Sequence, residues 1–224
     1  MTVKEMIAAL RDIMGDEEAA YRYQDSALLR YLNDAEEQAC RRAYLIMDAN
    51  TASICAFSVS VSVASYLFHS KILQVKRFTI DSTTVPLTQM TRDQMDEQGT
   101  GWVSLTGLPE VYIHEANNET IVCPIPQSAT TARLLVARLP LGAFSNGAAE
   151  TPEVKPQYHN DLLLWALSRA YERMAISNPR SYQVAQAYES RFTARFGPLP
   201  SAKTERLRMS LPKNMSARTR EFGT

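Results

Sequence analysis

Few side chains in this sequence belong to types that do acid–base, covalent or metal chemistry, and their spacing does not gather them. The three histidines, His69, His114 and His159, each stand without a companion at ligand spacing. A lone imidazole is far more often a hydrogen-bonded scaffold residue than a base or a ligand. Cys40, Cys55 and Cys123 are odd in number and widely separated, with no C-x-x-C pair, and read as free thiols of a reducing compartment. Asp93, Asp96 and Glu97 bring three carboxylates together, a set that could hold a hard cation but that a solvated loop explains better. There is no G-x-S-x-G, no glycine-rich phosphate loop and no H-E-x-x-H, and eight glycines in 224 residues leave little material for a nucleotide cradle. We therefore expect no enzyme: no catalytic, metal or cofactor-binding residue is assigned, and no cofactor.

The pattern that organises the chain is structural. Residues 158–197 read as two helices joined by a turn at Ser177-Asn178-Pro179. In the first, 159–176, Leu163, Leu167, Ala170 and Met174 recur at intervals of four, three and four, which puts them on one face. Trp165 falls nearly opposite that stripe, beside Asp161, Ser168, Arg169 and Glu172, while Leu162, Leu164, Tyr171 and Ile176 fill the flanks. A helix apolar on most sides needs neighbours on most sides. Those neighbours are either another subunit or a loop of the same domain closing over Trp165. The second helix, 179–196, opens with a proline in its first turn and stops at Gly197-Pro198. Ser181, Ala185, Tyr188, Phe192 and Phe196 form its apolar stripe. Gln183, Ala187, Ser190 and Ala194 form a face of small residues that either admits another helix or is simply solvated.

Two further helices begin the chain. Thr2-x-x-Glu5 has the form of a capping box ahead of Val3, Met6, Ile7, Leu10 and Met14, and Gly15-Asp16 stops that helix. A second helix starts at Asp25 or Ser26 and runs to about Met47, with Leu28, Leu32, Ala35, Ala39 and Ile46 inward and a Glu37–Arg41 pair on its wet side. These opening residues are amphipathic and acidic rather than signal-like. Between residues 51 and 141 the period changes to two. Strands are predicted over 53–63, over 71–81 with a phase slip that suggests a bulge, and over 110–115 and 120–125 as a hairpin around a turn at 116–119. A further strand is predicted over 130–139. The stretch 86–101 is polar and irregular, with one short helix near 91–95, and 140–157 reads as a linker. The uncharged run 53–68 is too short for a bilayer and alternates serine with valine, so no membrane is expected.

The predicted class is α+β: a helical bundle (1–50 and 151–197, two N-terminal and two C-terminal helices), an inserted antiparallel β module (51–150) and an extended basic C-terminal arm (198–224). Lysine plus arginine and aspartate plus glutamate balance at 24 each, but unevenly. From Gly197 onward six basic and two acidic residues leave the tail at +4 and the rest at −4. That tail mixes Leu207, Met209, Leu211, Met215 and Phe222 among its charges, and Pro212 interrupts any long helix. It cannot bury enough surface to fold alone. Extended, its residues reach ~90 Å at ~3.3 Å each. It is a terminus without a role, a basic arm on phosphates, or an arm that orders on an acidic protein groove with its apolar residues as anchors.

Three stretches give the order of elements a likeness. DSALLRYLNDAEEQACRRAYLI follows the first helix, with Asp25-Ser26-x-Leu28-Leu29-x-Tyr31-Leu32-Asn33-Asp34-Ala35 matching a family start. GLPEVYIHEANNETIVCPIP gives strand, turn and strand between prolines. Tyr158-His159-x-Asp161-Leu162-Leu163-x-Trp165-Ala166-Leu167 is followed by Ala185-x-x-Tyr188-Glu189-x-x-Phe192. On these, over residues 1–197, the chain resembles the head–tail connector adaptor proteins of tailed bacteriophages. The resemblance implies a non-enzymatic virion protein, made in the host cytoplasm and located at the head–tail interface. Its copies would form a ring, twelve being the expected number, under the portal protein, extending the DNA channel and presenting a surface to a tail or tail-nozzle protein. Packaged DNA would pass through without sequence-specific binding.

In such a protein the tail would be the portal-docking arm, through Lys203, Arg206, Leu207, Arg208, Met209, Leu211, Lys213, Arg218, Arg220 and Phe222. Leu162, Trp165, Arg169 and Glu172 would face a neighbouring subunit. Two other readings stay open: a nucleic-acid-binding or regulatory protein acting through the basic tail, and a tail-tube or tail-completion protein.

Overall fold

The computed structural model describes residues 1–18, 20–81, 85–115, 118–145, 149–176 and 178–204. In chain order, α1 (Val3–Met14) and α2 (Asp25–Ala43) lead to β1 (Ile46–Asp48), a helical turn α3 (Ala52–Cys55), β2 (Ala56–Val59), β3 (Ser65–Leu67) and β4 (Ile72–Ile80). Then come β5 (Thr88–Met90), α4 (Arg92–Glu97), a 3-10 turn (Thr100–Ser104), β6 (Thr106–Gly107), β7 (Val111–His114) and β8 (Glu119–Cys123). The chain continues with β9 (Ile125–Pro126), β10 (Thr130–Arg138), α5 (His159–Met174) and α6 (Arg180–Phe196). Two compact units result: Met1–Ile46 with Arg138–Pro200, and Met47–Ala137 with residues 201–204. No helix among the described residues is long and apolar enough to cross a membrane.

The first unit is helical. α1 starts as its sequence dictates: the Thr2 hydroxyl accepts the Glu5 N–H (3.2 Å) and the Glu5 carboxylate accepts the Thr2 N–H (2.8 Å). It ends at Gly15, whose φ of 63° suits glycine. α2 stops at Ala43, short of the expected Met47, because Tyr44 turns left-handed and donates its N–H to Cys40 O. α5 is the centre of the unit and packs on α1, α2 and α6. Leu162, Leu163, Trp165, Ala166, Leu167 and Ala170 are all buried along it, each large one contributing about 1.5–3 kcal/mol of apolar transfer. α6 returns antiparallel, its Phe192 and Phe196 rings 4.7 Å apart and both buried. Ile176, expected on the α5 flank, lies beyond the helix end and is 89% exposed.

The expected linker is fastened at several points. Arg138 donates to the Glu153 carboxylate (2.6 Å), whose other oxygen accepts the Leu141 N–H (2.6 Å). Further on, the Phe144 N–H meets Asn33 Oδ1 at 2.6 Å, and the Val154 N–H meets Glu36 Oε1 at 3.1 Å. Backbone polar groups in a non-regular segment need such partners when they leave water.

The second unit is mostly β. One four-stranded sheet has the order β1-β10-β2 with β4 also against β10; another runs β3-β8-β7-β5; β6 and β9 make a two-stranded sheet. The β7–β8 hairpin is antiparallel as predicted, with Tyr112 opposite Val122 and Ile113 opposite Ile121. Alternation then sends these pairs to opposite faces. Tyr112 and Val122 join Val59, Phe68, Ile72, Val75, Phe78, Ile80, Leu134 and Val136 in the main core. Ile113 and Cys123 pack with Met95 and Trp102 in a smaller one.

Two expectations are corrected. The module is mixed rather than antiparallel, since β5 pairs with β7 and β6 with β9 in parallel. Parallel neighbours need a crossover, which the stretch read as irregular supplies through α4. The strand expected over 53–63 is only β2. Ala52–Cys55 coils, and after Val59 the chain turns, with Ser62 at φ 61° and the Tyr66 hydroxyl donating to Val63 O (2.7 Å), before entering the other sheet as β3. The slip predicted in 71–81 is visible in the burial: Val75 and Phe78, three apart, are both buried. The turn at 116–119 and the helix junction at Ser177 lie partly outside the described residues.

Candidate interaction surfaces

The three histidines and Asp96 are engaged within the scaffold. His69 Nδ1 accepts the Lys71 N–H (3.1 Å) in a turn. His114 is buried against the Phe68 ring (5.1 Å between centroids), and that burial lowers its pKa below the ordinary imidazole value. His159 Nε2 lies 2.9 Å from Val154 O and Nδ1 3.1 Å from the Met1 amino group, so a ring protonated on Nε2 ties the linker and the first residue to α5. The three thiols are free and buried, and desolvation raises those of Cys40 and Cys123. Of the acidic group on α4, Asp96 accepts the Trp102 indole N–H at 2.8 Å. Among the described residues no three His, Cys, Asp or Glu side chains are grouped to hold a metal.

The four residues expected at a subunit interface divide into two pairs. Leu162 is fully buried and Trp165 is 5% exposed, both inside the helical unit. The apolar excess of α5 is therefore used within the chain, which corrects the reason for placing these two at a lateral contact. The Trp165 indole donates to Asp34 Oδ2 (2.5 Å), its ring lies 5.1 Å from that of Phe192, and Arg169 and Arg42 cover it at 4.1 and 5.0 Å. Arg42 is held in turn by Thr193 Oγ1 (3.0 Å) and Gly197 O (3.2 Å). Arg169 and Glu172 are the accessible pair: they bond at 2.5 Å, with Glu189 3.5 Å from the same guanidinium.

Large apolar side chains are exposed on both units. On α6, Tyr182 and Val184 face outward, and Gln183, Val184, Ala187, Tyr188 and Arg191 line a shallow hollow of about 300 Å³. Gln183 and Ala187 of the small-residue face picked out in the sequence lie in this hollow, and no helix among the described residues covers it. In the β unit Val61, Val63, Leu67, Val103, Leu105 and Leu108 are exposed, Leu67 at 75%. Two backbone bonds bring several of them into one neighbourhood: Ser62 N–H to Pro126 O (2.9 Å), and Ile125 N–H to Leu105 O (2.7 Å). Scattered exposed leucines are ordinary, but a contiguous patch marks an interaction surface.

Of the expected arm, Lys203 is exposed at the start of a helical turn whose Thr204 N–H is accepted by Ser201 Oγ (3.2 Å). Arg206, Leu207, Arg208, Met209, Leu211, Lys213, Arg218, Arg220 and Phe222 lie outside the described residues. Sequence reading missed Glu36, which a helical wheel places on the inward side of α2 although it is charged. It is 2% exposed and accepts the Val154 N–H. It also missed the grouping of Arg22 with Arg173, since periodicity carries no information about residues so far apart.

The family model described as SU10 adaptor protein matches residues 1–218. No curated protein matches the chain. With nearly its whole length matched, the chain belongs to the SU10 adaptor protein family, a phage head–tail adaptor family whose members are structural proteins of the virion rather than enzymes.

Proposed function

We propose that this SU10 adaptor protein assembles as a ring beneath the portal protein, continues the DNA channel and offers the attachment surface for a tail or tail-nozzle protein. Twelve copies are the expected number, and the packaged DNA passes without sequence-specific contact. The observation that carries this reading is the extent of the family match. It runs to residue 218, so the arm as far as Arg218 lies within the length matched by the family model, which supports a shared role for it.

The accessible surfaces support the same reading. A ring is built from heterologous contacts that close, each subunit offering two different patches. The outer face of α6 and the exposed apolar neighbourhood around Leu105 and Val63 are two such patches, one on each unit. Arg169, Glu172 and Glu189 make a polar rim near the first. Leu162 and Trp165 act from behind, holding α5 and α6 in place rather than touching the neighbour.

The arm, from Lys203 to Phe222, docks on the portal. A tether repeated around a ring gains avidity, because once one arm is bound the others bind at high local concentration. The test compares portal pull-down by full-length protein and by a 1–197 form. Capture by the full-length chain alone supports the reading. Salt-sensitive binding of duplex DNA that disappears in the 1–197 form, with no portal capture by either, favours a nucleic-acid-binding protein acting through the tail.

A further inference from the structure

At the junction of α5 and α6 the helical unit has an open cleft of about 390 Å³, lined by Arg22, Tyr23, Arg173, Met174, Asn178 and Ser181. Its walls are cationic and donor-rich. Neither the Arg22 nor the Arg173 guanidinium has a carboxylate or other hydrogen-bond acceptor among the described residues; the contact made by Arg173 is over the Tyr23 ring, at 6.0 Å. The nearby acids are already engaged. Asp16 accepts the Arg22 and Tyr23 backbone N–H groups (2.7 and 3.2 Å) and the Arg11 guanidinium (3.2 Å). Glu172 is bonded to Arg169. Asn178 spends its Oδ1 on the Arg180 N–H (3.2 Å), which leaves its amide NH2 as a donor. The Tyr23 hydroxyl donates to Ala170 O (2.7 Å), so the cleft sees an apolar ring rather than an acceptor.

We propose that this cleft is a carboxylate-binding site that receives an acidic side chain from a segment of a partner protein. Two guanidinium forks without an anion are matched to a carboxylate, which each can take in a bidentate pair. The Tyr23 ring and Met174 provide an apolar floor for the carbon chain that carries the acid. A bare phosphate would leave most of so large a space unfilled. A duplex backbone needs a line of cations along its phosphates, whereas Asp16 is bonded to the backbone of Arg22 and Tyr23, and Glu172 adjoins Arg173 in the chain. The inference stands whether or not the chain closes into a ring.

The full-length protein, labelled with nitrogen-15, would be titrated with the blocked peptide acetyl-Leu-Glu-Asp-Leu-amide up to about 5 mM, a range that detects even weak contacts. The expected result is saturable amide shifts confined to Arg22, Tyr23, Asn178, Ser181 and their neighbours. The isosteric acetyl-Leu-Gln-Asn-Leu-amide should bind weaker by about tenfold or more. An Arg22→Gln, Arg173→Gln double variant should lose the response with an unchanged melting temperature, since both side chains are exposed and outside the core. Equal binding of the neutral peptide, shifts elsewhere, or none at all would overturn the proposal. So would stronger occupancy of the same amides by inorganic phosphate or a short DNA duplex, which would make the cleft a phosphate site.

Discussion

Glu36→Gln should make the stability of the helical unit less dependent on pH, in a defined direction. Glu36 is 2% exposed on α2, and one oxygen accepts the Val154 N–H at 3.1 Å. Burial raises its carboxyl from the usual 4.5 to about 7; the Val154 and Glu153 backbone N–H groups oppose the shift, the Glu153 charge adds to it and Arg138 opposes it. A carboxyl with a raised native pKa holds its proton more tightly in the folded chain. Its contribution is therefore fully present below pH 4.5, falls as the unfolded chain ionises, and stops falling once the folded carboxyl has ionised above about 7. Between pH 5 and 8 the native protein should lose roughly 2–3 kcal/mol from this group, at ~1.36 kcal/mol per unit. Glutamine keeps the acceptor for Val154 but cannot ionise. Urea denaturation followed by circular dichroism, run at both pH values on wild type and variant, reads the effect directly. The variant should gain by that amount at pH 8 relative to pH 5. Parallel pH profiles, within about 0.5 kcal/mol, would refute the assignment of a strained, buried carboxyl.

Other perturbations follow from the same contacts. Trp165→Ala removes the ring between Phe192, Arg42 and Arg169 and leaves Asp34 without its indole donor. It should destabilise the helical unit by about 3–5 kcal/mol, measured by urea unfolding. Arg11→Ala deprives Asp16, Asp25 and Tyr23 O of one buried guanidinium and should cost about 3 kcal/mol on the same assay. Leu67→Glu, at an exposed position, should change stability by less than about 0.5 kcal/mol; a larger loss would show that the side chain is covered within the monomer. All three cysteines are buried, so none should react with a thiol reagent in the native protein and all should react in denaturant.

The helices were legible because their signals are local. The Thr2–Glu5 box, Gly15, and the stripe from Leu163 to Met174 depend on neighbours within two turns, and each sits where its spacing puts it. The odd position of Trp165 was equally visible, but not its cause: Asp34 and Phe192 are far away in sequence, and a wheel cannot say whether a neighbour belongs to the same chain. Sheet partners failed for a related reason. Alternation identifies a strand and its inward face but is silent on direction, so the module as a whole was expected to be antiparallel, and the short β5 and β6, with their parallel partners, were not predicted at all. Residues 53–63 looked like one strand because serine and valine alternate into a turn that only the Tyr66 hydroxyl and the Pro126 carbonyl reveal. Glu36 was hidden by its charge, which normally marks a solvated position. The arm's role rests on composition and family length, because residues 205–224 lie outside the described structure.

The most direct test of the connector account is electron microscopy of the purified portal ring mixed with full-length adaptor and, separately, with the 1–197 form. The account predicts a second ring layer on one face of the portal with full-length protein, twelve-fold in projection, and bare portals with the truncated form. A layer that forms equally well without residues 198–224 would contradict the docking role of the arm. Portals left bare by both forms would contradict the account itself.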